Sequence, residues 1–210
     1  MLTASSVERP ADRARRPRDP ERTRARILAA AVQEFAAKGF AGARVARIAR
    51  RARVNKRMLY HYFGNKDDLF RAILGQKLGE RMTWATAAPD DPAEWLAYWL
   101  DVVCRDTDWV RLMQWEALET GHGAVAREED RQRAADWAVD EMRRRQASGL
   151  LDPTLDPAQT LLSMLALTTF PVAFPQIARL LTGLDPTDPR FRTQRTEVLR
   201  TFARSLRPAT

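Results

Sequence analysis

Residues 43–74 read ARVARIARRARVNKRMLYHYFGNKDDLFRAIL, and their pattern decides the fold. Val45, Ile48, Ala49 and Ala52 recur at the spacing of one helical face, while Arg44, Arg47, Arg50 and Arg51 fill the rest of that surface. Arg53-Val54 breaks the pattern as a turn, with Val54 as its apolar plug. Asn55 is a capping residue for a second short helix. On that helix Leu59, Tyr62 and Phe63 face inward, Lys56, Arg57, Tyr60 and His61 face outward, and Met58 fits either side. Gly64 closes it, and Asn65 opens the next helix at once, with Asp68 completing a variant capping box and Leu69, Phe70, Ile73 and Leu74 as the apolar stripe. Two short helices about a tight turn, the second with a basic and aromatic outer face, suit a helix-turn-helix, which lays its second helix in the major groove of DNA.

Toward the N-terminus, Asp19-Pro20-Glu21 combines a cap, a proline at the first helical position and an acid at the positive end of the dipole. Ile27, Leu28, Ala31, Val32 and Phe35 follow as an apolar stripe, Gly39 ends the helix, and Phe40 tucks back on the core. Residues 1–18 are rich in Arg, Pro, Ala and Asp and are expected to form a disordered basic arm. Its Arg13, Arg15, Arg16 and Arg18 are either solvated or lie along phosphates or in a minor groove. Residues 1–66 carry 17 Lys or Arg against 5 Asp or Glu, a net charge of +12, whereas residues 67–210 have a net charge of −4. This asymmetry gives the first part a polyanionic partner without separating DNA from RNA or an anionic membrane surface.

The remainder reads as helices. One continues from the capping box to Thr86, and Asp91-Pro92 starts another with Trp95, Leu96, Trp99, Leu100 and Val103. Trp109, Leu112, Met113, Trp115 and Leu118 mark the next, which stops at Gly121-His122-Gly123. A charged helix containing Trp137 and Met142 runs to about Ser148 before Gly149. Pro157 to Ala178 is uncharged, but Gln159, Thr160, Ser163, Pro171 and Pro175 make it too polar and interrupted for a membrane span, so a buried pair or an interface helix is expected. A last helix after Pro189 carries Phe191, Val198, Leu199, Phe202 and Leu206. The predicted class is therefore all-α.

Five of the six tryptophans fall between Trp84 and Trp115. Trp95, Trp99 and Trp109 either pack a core or line an apolar cavity, with Met113, Phe170 and Phe174 as further lining candidates. The lone Cys104 excludes an intrachain disulfide and suits a reducing cytoplasm, and the first residues lack the apolar core of a secretory signal. His61 and His122 are the only histidines, and no phosphate loop, dinucleotide fingerprint, metal cluster or catalytic constellation is visible. The expectation is a cytoplasmic, nucleoid-associated protein that is not an enzyme, with no cofactor, no metal and no membrane.

The segments ILAAAVQEFAAKGF (27–40), Ile48-Ala49 and NKRMLYHYFGNKDDLF (55–70) resemble the DNA-binding domain of the TetR/AcrR family of bacterial transcriptional regulators. The resemblance implies a homodimer on a palindromic operator in double-stranded DNA, usually a repressor, with a larger C-terminal helical domain holding an inducer pocket and the dimer interface. The corresponding division is 1–18 basic arm, 19–66 helix-turn-helix domain, and 67–210 ligand-binding and dimerisation domain. By family position Arg44, Asn55, Lys56, Arg57, Tyr60, His61 and Lys66 stand at the DNA. Lys56 or Arg57 offers donors to guanine, and Arg44, Tyr60, His61 and Lys66 set the helix through phosphates. Tyr60 and His61 also suit aromatic packing, and Lys66 simple exposure. The chain departs from the family pattern at Ala43-Arg44, where hydroxyl residues are usual, and at Arg53, where glycine is common. A left-handed backbone at Arg53 would carry strain of roughly 1 kcal/mol. The implied function is a dimeric repressor released from its operator by a small, largely apolar effector. Alternatives are an activator or ligand-insensitive regulator of the same fold, and a non-specific nucleic-acid-binding interaction protein.

Overall fold

A computed structural model describes residues 19–208, and within them the chain forms ten α-helices, a final 3₁₀ turn and no strand. The helices are α1 (Pro20–Gly42), α2 (Val45–Arg51), α3 (Lys56–Phe63), α4 (Lys66–Thr86) and α5 (Pro92–Arg105), then α6 (Thr107–Thr120), α7 (Glu128–Ala147), α8 (Pro157–Ala173), α9 (Pro175–Thr182) and α10 (Pro189–Ala203). The arm expected over residues 1–18 lies outside the described residues.

Four helices begin with the same local chemistry. Asp19, Asp91, Asp156 and Asp188 each accept a backbone N–H of the first turn, and each is followed by proline at the first helical position. Aspartate satisfies an amide that no intrahelical carbonyl can reach, and proline has none to satisfy there.

Two apolar cores organise the helices. The first joins α1–α4 around Ile27, Phe35, Ile48, Leu59, Leu69 and Ile73, and takes in Leu112 from α6. The second joins α5, α7, α8 and α10 around Trp95, Leu96, Trp99, Met142, Met164 and Leu199. Helix α4 runs from one to the other: Leu69 and Leu74 sit in the first core, Trp84 and Ala85 against the second. Helix α6 lies along α1. At their crossing Gly39 has φ 67°, and a Cβ there would stand 2.9 Å from the Trp115 ring. The left-handed residue and the close approach both require glycine. The chain resumes helical geometry beyond Gly39, so α1 extends to Gly42 rather than stopping where the periodicity stops.

The uncharged segment divides at Phe174, where α8 and α9 diverge by 86°. No single helix among the described residues is long and apolar enough to cross a membrane; α8 and α9 reach that composition only as this bent pair.

Leu59 anchors α3 with no exposed surface. Leu59→Ala is expected to lower stability by about 2–5 kcal/mol through lost burial and a residual cavity, measured by urea unfolding.

Candidate nucleic-acid interface and cavity

Helix α3 is held at both ends. Asn55 Oδ1 accepts the Met58 amide at 2.7 Å at the start, and the Gly64 amide closes on the Tyr60 carbonyl at 2.8 Å, with φ 73° at Gly64. Leu59 and Phe63 are buried and Tyr62 half-buried on the first core. Arg57, Tyr60 and His61 are exposed on the remaining surface, and Lys56 is exposed as the first residue of the helix. The His61 and Tyr62 rings meet edge to face at 5.8 Å. Met58, which fitted either side in sequence, is half-buried.

The turn before α3 puts Arg53 at φ 53°, the left-handed conformation in which an arginine is strained. Arg26 of α1 offsets this by donating to the Ala52 carbonyl at 2.9 Å and the Arg53 carbonyl at 3.4 Å. Helix α2 starts at Val45, the first residue of its apolar stripe, and Arg44 before it supplies no side-chain cap. The buried Glu34 of α1 takes that role: its Oε1 accepts the Arg44 amide at 3.2 Å and lies 3.6 Å from the Arg47 guanidinium. The Arg44 side chain, with Arg50 and Arg51, is left exposed beside α3. Sequence reasoning missed both Arg26 and Glu34. Glu34 was open to detection, because a carboxylate three residues after Ala31 falls on the inward face of α1.

Asn65 Oδ1 caps α4 through the Asp68 amide at 2.8 Å, and Asn65 Nδ2 donates to Asp68 Oδ2 at 2.7 Å. Lys66 is half-buried, with Nζ 4.8 Å from the Phe40 ring centre and 3.4 Å from the Ala41 carbonyl. Its ammonium is therefore placed by the α1 terminus.

A second concave site lies between α4, α5, α6, α7 and α8. It is a cavity of about 300 Å³ whose walls include Leu78, Met82, Trp95, Trp99, Trp109 and Trp137. Of the six residues expected to line a cavity, Trp95, Trp99 and Trp109 do. Met113 instead packs against the first core, because it faces α1 from α6. Phe170 and Phe174 are also outside the lining: their rings pack at a tilt with centres 5.1 Å apart, half exposed at the α8–α9 bend. Arg81, Glu141 and Arg145 line the cavity as well and were not anticipated. Arg81 had a visible signal, since it follows Leu74 and Leu78 on the inward stripe of α4.

Arg145 is buried but engaged, donating to the carbonyls of Asp90 at 3.1 Å, Glu141 at 3.1 Å and Pro89 at 3.4 Å. Arg81 differs. Its guanidinium stands 4.8 Å from the Trp99 ring centre and 5.3 Å from that of Trp109, and burial pulls its pKa down to about 10. Helix α6 connects this cavity to the reader: Trp109 lines the cavity, while Arg111 Nε and Trp115 Nε1 donate to the Ala36 carbonyl of α1 at 2.8 and 3.1 Å.

A capped, outward-facing basic helix on the core of α1–α4, joined to a larger helical unit, is the architecture of a helix-turn-helix DNA-binding protein. Residues 27–73 match the bacterial regulatory proteins of the tetR family, and residues 91–204 match the tetracyclin repressor-like C-terminal domain. The chain is 37% identical over 166 residues to the HTH-type transcriptional repressor SCO4008 of Streptomyces coelicolor, a match spanning 79% of this chain and 86% of that protein. The crystal structure of SCO4942, also from Streptomyces coelicolor, superposes with a TM-score of 0.75 at 30% identity, covering 90% of this chain and 99% of that one. The fold is shared too with the transcriptional regulator FadR from Bacillus subtilis in complex with stearoyl-CoA, at a TM-score of 0.62 and 20% identity over 85% of this chain and 98% of that one. The chain belongs to the tetR family of bacterial regulatory proteins, a family of DNA-binding transcriptional regulators rather than enzymes.

Asn55→Ala removes the cap of the outward-facing helix and is expected to cost about 1 kcal/mol. The loss should appear in thermal unfolding and as faster amide exchange at Met58.

Proposed function

We propose that the protein is a homodimeric repressor that binds a two-fold symmetric operator through α3 and is released by a small, largely apolar molecule held in the cavity. The observation that carries this is α6, which touches both places: Trp109 in the cavity wall and Trp115 on the α1 carbonyl that supports the reader. A ligand that displaces Trp109 favours one setting of α6 over another, and through α1 one tilt of α3 over another. Release requires only that the ligand bind the non-operator state better.

On this reading residues 19–66 carry the DNA contacts, and residues 67–210 the ligand site and the interface between subunits. Lys56 and Arg57, exposed at the start of α3, offer donors to guanine O6 and N7. Arg44, Tyr60, His61 and Lys66 flank them and set register through phosphates, and the Asn55 cap orients the helix they share. The dimer face is supported by the apolar side chains that α8 and α9 leave uncovered: Leu180 is 86% and Leu181 79% exposed on α9 with Ile177, and Leu162 and Phe174 are exposed on α8 and at the bend. Such a patch is costly on a monomer and typical of an interface.

Selection from a random duplex library should enrich a two-fold symmetric site; enrichment of none would sink the operator. On the enriched site, Arg57→Ala is expected to reduce discrimination against a mismatched base by about 1–3 kcal/mol while binding to random duplex falls far less. Leu181→Glu should shift the protein to a monomer in sedimentation and abolish operator binding. A dimer that survives this charge and that of Leu180→Glu would place the interface elsewhere.

A further inference from the structure

We propose that the cavity takes a molecule with an apolar body and a carboxylate or similar anionic head, and that the head is received by Arg81 and Trp99. The proposal rests on the reading of the cavity as the effector site and adds the chemical class of the effector.

The unsatisfied polarity in the wall is all of one kind. Arg81 Nη1 is buried without a hydrogen-bond partner, and so is Trp99 Nε1. Both belong to side chains that line the cavity, and the guanidinium carbon stands 4.8 Å from the Trp99 ring centre, so the two donors border one part of the cavity. Among the described residues Arg81 makes no ion pair. Asp106 is the carboxylate whose field acts on Arg81, yet it stands beyond ion-pairing distance, with Oδ1 held by Lys77 Nζ at 2.8 Å and Oδ2 buried without a partner. The other charged groups of the wall are engaged: Arg145 on three carbonyls, and Glu141 on Arg144 at 3.1 Å.

A buried cation with an open donor is unfavourable by itself, and the lowered pKa of Arg81, caused by burial, is the same penalty seen in its proton equilibrium. At neutral pH the group remains charged. A hydrocarbon would fill the cavity and leave both donors unpaired, and a neutral carbonyl could pair with a donor but would bring no counter-charge. A cationic ligand would add like charge beside Arg81. A carboxylate supplies acceptors to both donors and a counter-charge to the guanidinium. The remaining wall, Leu78, Met82, Ala85, Leu161 and Leu165 with Trp137, is apolar and suits an alkyl chain or fused ring. A volume of about 300 Å³ limits that body to modest length.

The test uses full-length protein and three probes with the same tail: decanoate, methyl decanoate and decylamine. Binding is followed by the fluorescence of Trp95, Trp99, Trp109 and Trp137, which surround the site, and by release of the protein from its selected duplex. Decanoate is expected to bind about tenfold or more tightly than the ester or the amine, as a charge-assisted hydrogen bond allows. Arg81→Met should erase that preference while retaining the ester, and Arg81→Lys should restore part of it. Trp99→Phe, which keeps a ring and removes the donor, should weaken decanoate about three- to tenfold without altering the ester, and serves if Arg81→Met does not fold. Equal binding of ester and acid, or a preference unchanged in both Arg81→Met and Trp99→Phe, would overturn the anionic head while leaving the cavity as an effector site. Binding of none of the three probes would overturn the effector site together with this proposal.

Discussion

The seam between α1 and α6 is the constraint on which the rest of the molecule depends. One backbone carbonyl, that of Ala36, accepts from Arg111 Nε at 2.8 Å and from Trp115 Nε1 at 3.1 Å. The Trp115 ring can lie there because Gly39 has no side chain. Leu112, between those two donors in sequence, is buried in the core of the N-terminal helices. Helix α1, around which α2 and α4 pack, thus rests on a helix whose N-terminal portion also walls the cavity. Interiors are close-packed and shift between discrete arrangements rather than deforming smoothly. On the proposed function, this short, doubly bonded seam is the link between the cavity and the DNA-binding helices.

Buried charges mark the places where this fold does something beyond packing. Glu34 is 2% exposed and is engaged by the Arg44 amide and the Arg47 side chain, so it fastens α2 to α1 where the usual hydroxyl cap is absent. Glu116 is likewise buried and accepts from the Ala126 amide at 3.2 Å and from Arg131 Nη1 at 2.6 Å, tying α6 to α7. These groups are satisfied and structural. Arg81 is not satisfied, and it faces a cavity. A satisfied buried charge holds a structure together, whereas an unsatisfied one next to empty space is where a ligand can lower the free energy.

Much of the fold was legible because its signals are local. Asp-Pro starts, the Asn55 and Asn65 caps and the 3.6-residue apolar stripes depend on neighbours within one helical turn, and the helices appear where these signals place them. The left-handed Arg53 was legible only through the family resemblance, which sets glycine at that turn position. Boundaries set by remote partners were not. The Arg44 amide at the start of α2 is held by Glu34 on another helix, and α1 continues past Gly39 against α6.

The candidate DNA surface follows from one helix: once Leu59 and Phe63 point inward, the periodicity sends Arg57, Tyr60 and His61 outward, and Lys56 is exposed as the first residue of the helix. That much resides in the order of residues 43–74. The cavity does not. Trp95, Trp99, Trp109, Met113, Phe170 and Phe174 all lie on apolar stretches, and nothing local separates the three that meet across a void from the three that do not. Their sorting depends on which faces of α4, α5, α6, α7 and α8 converge, and so does the placing of Arg81 beside two indoles. Periodicity says which way a side chain points from its own helix; the relative placement of helices far apart in sequence settles what it meets there.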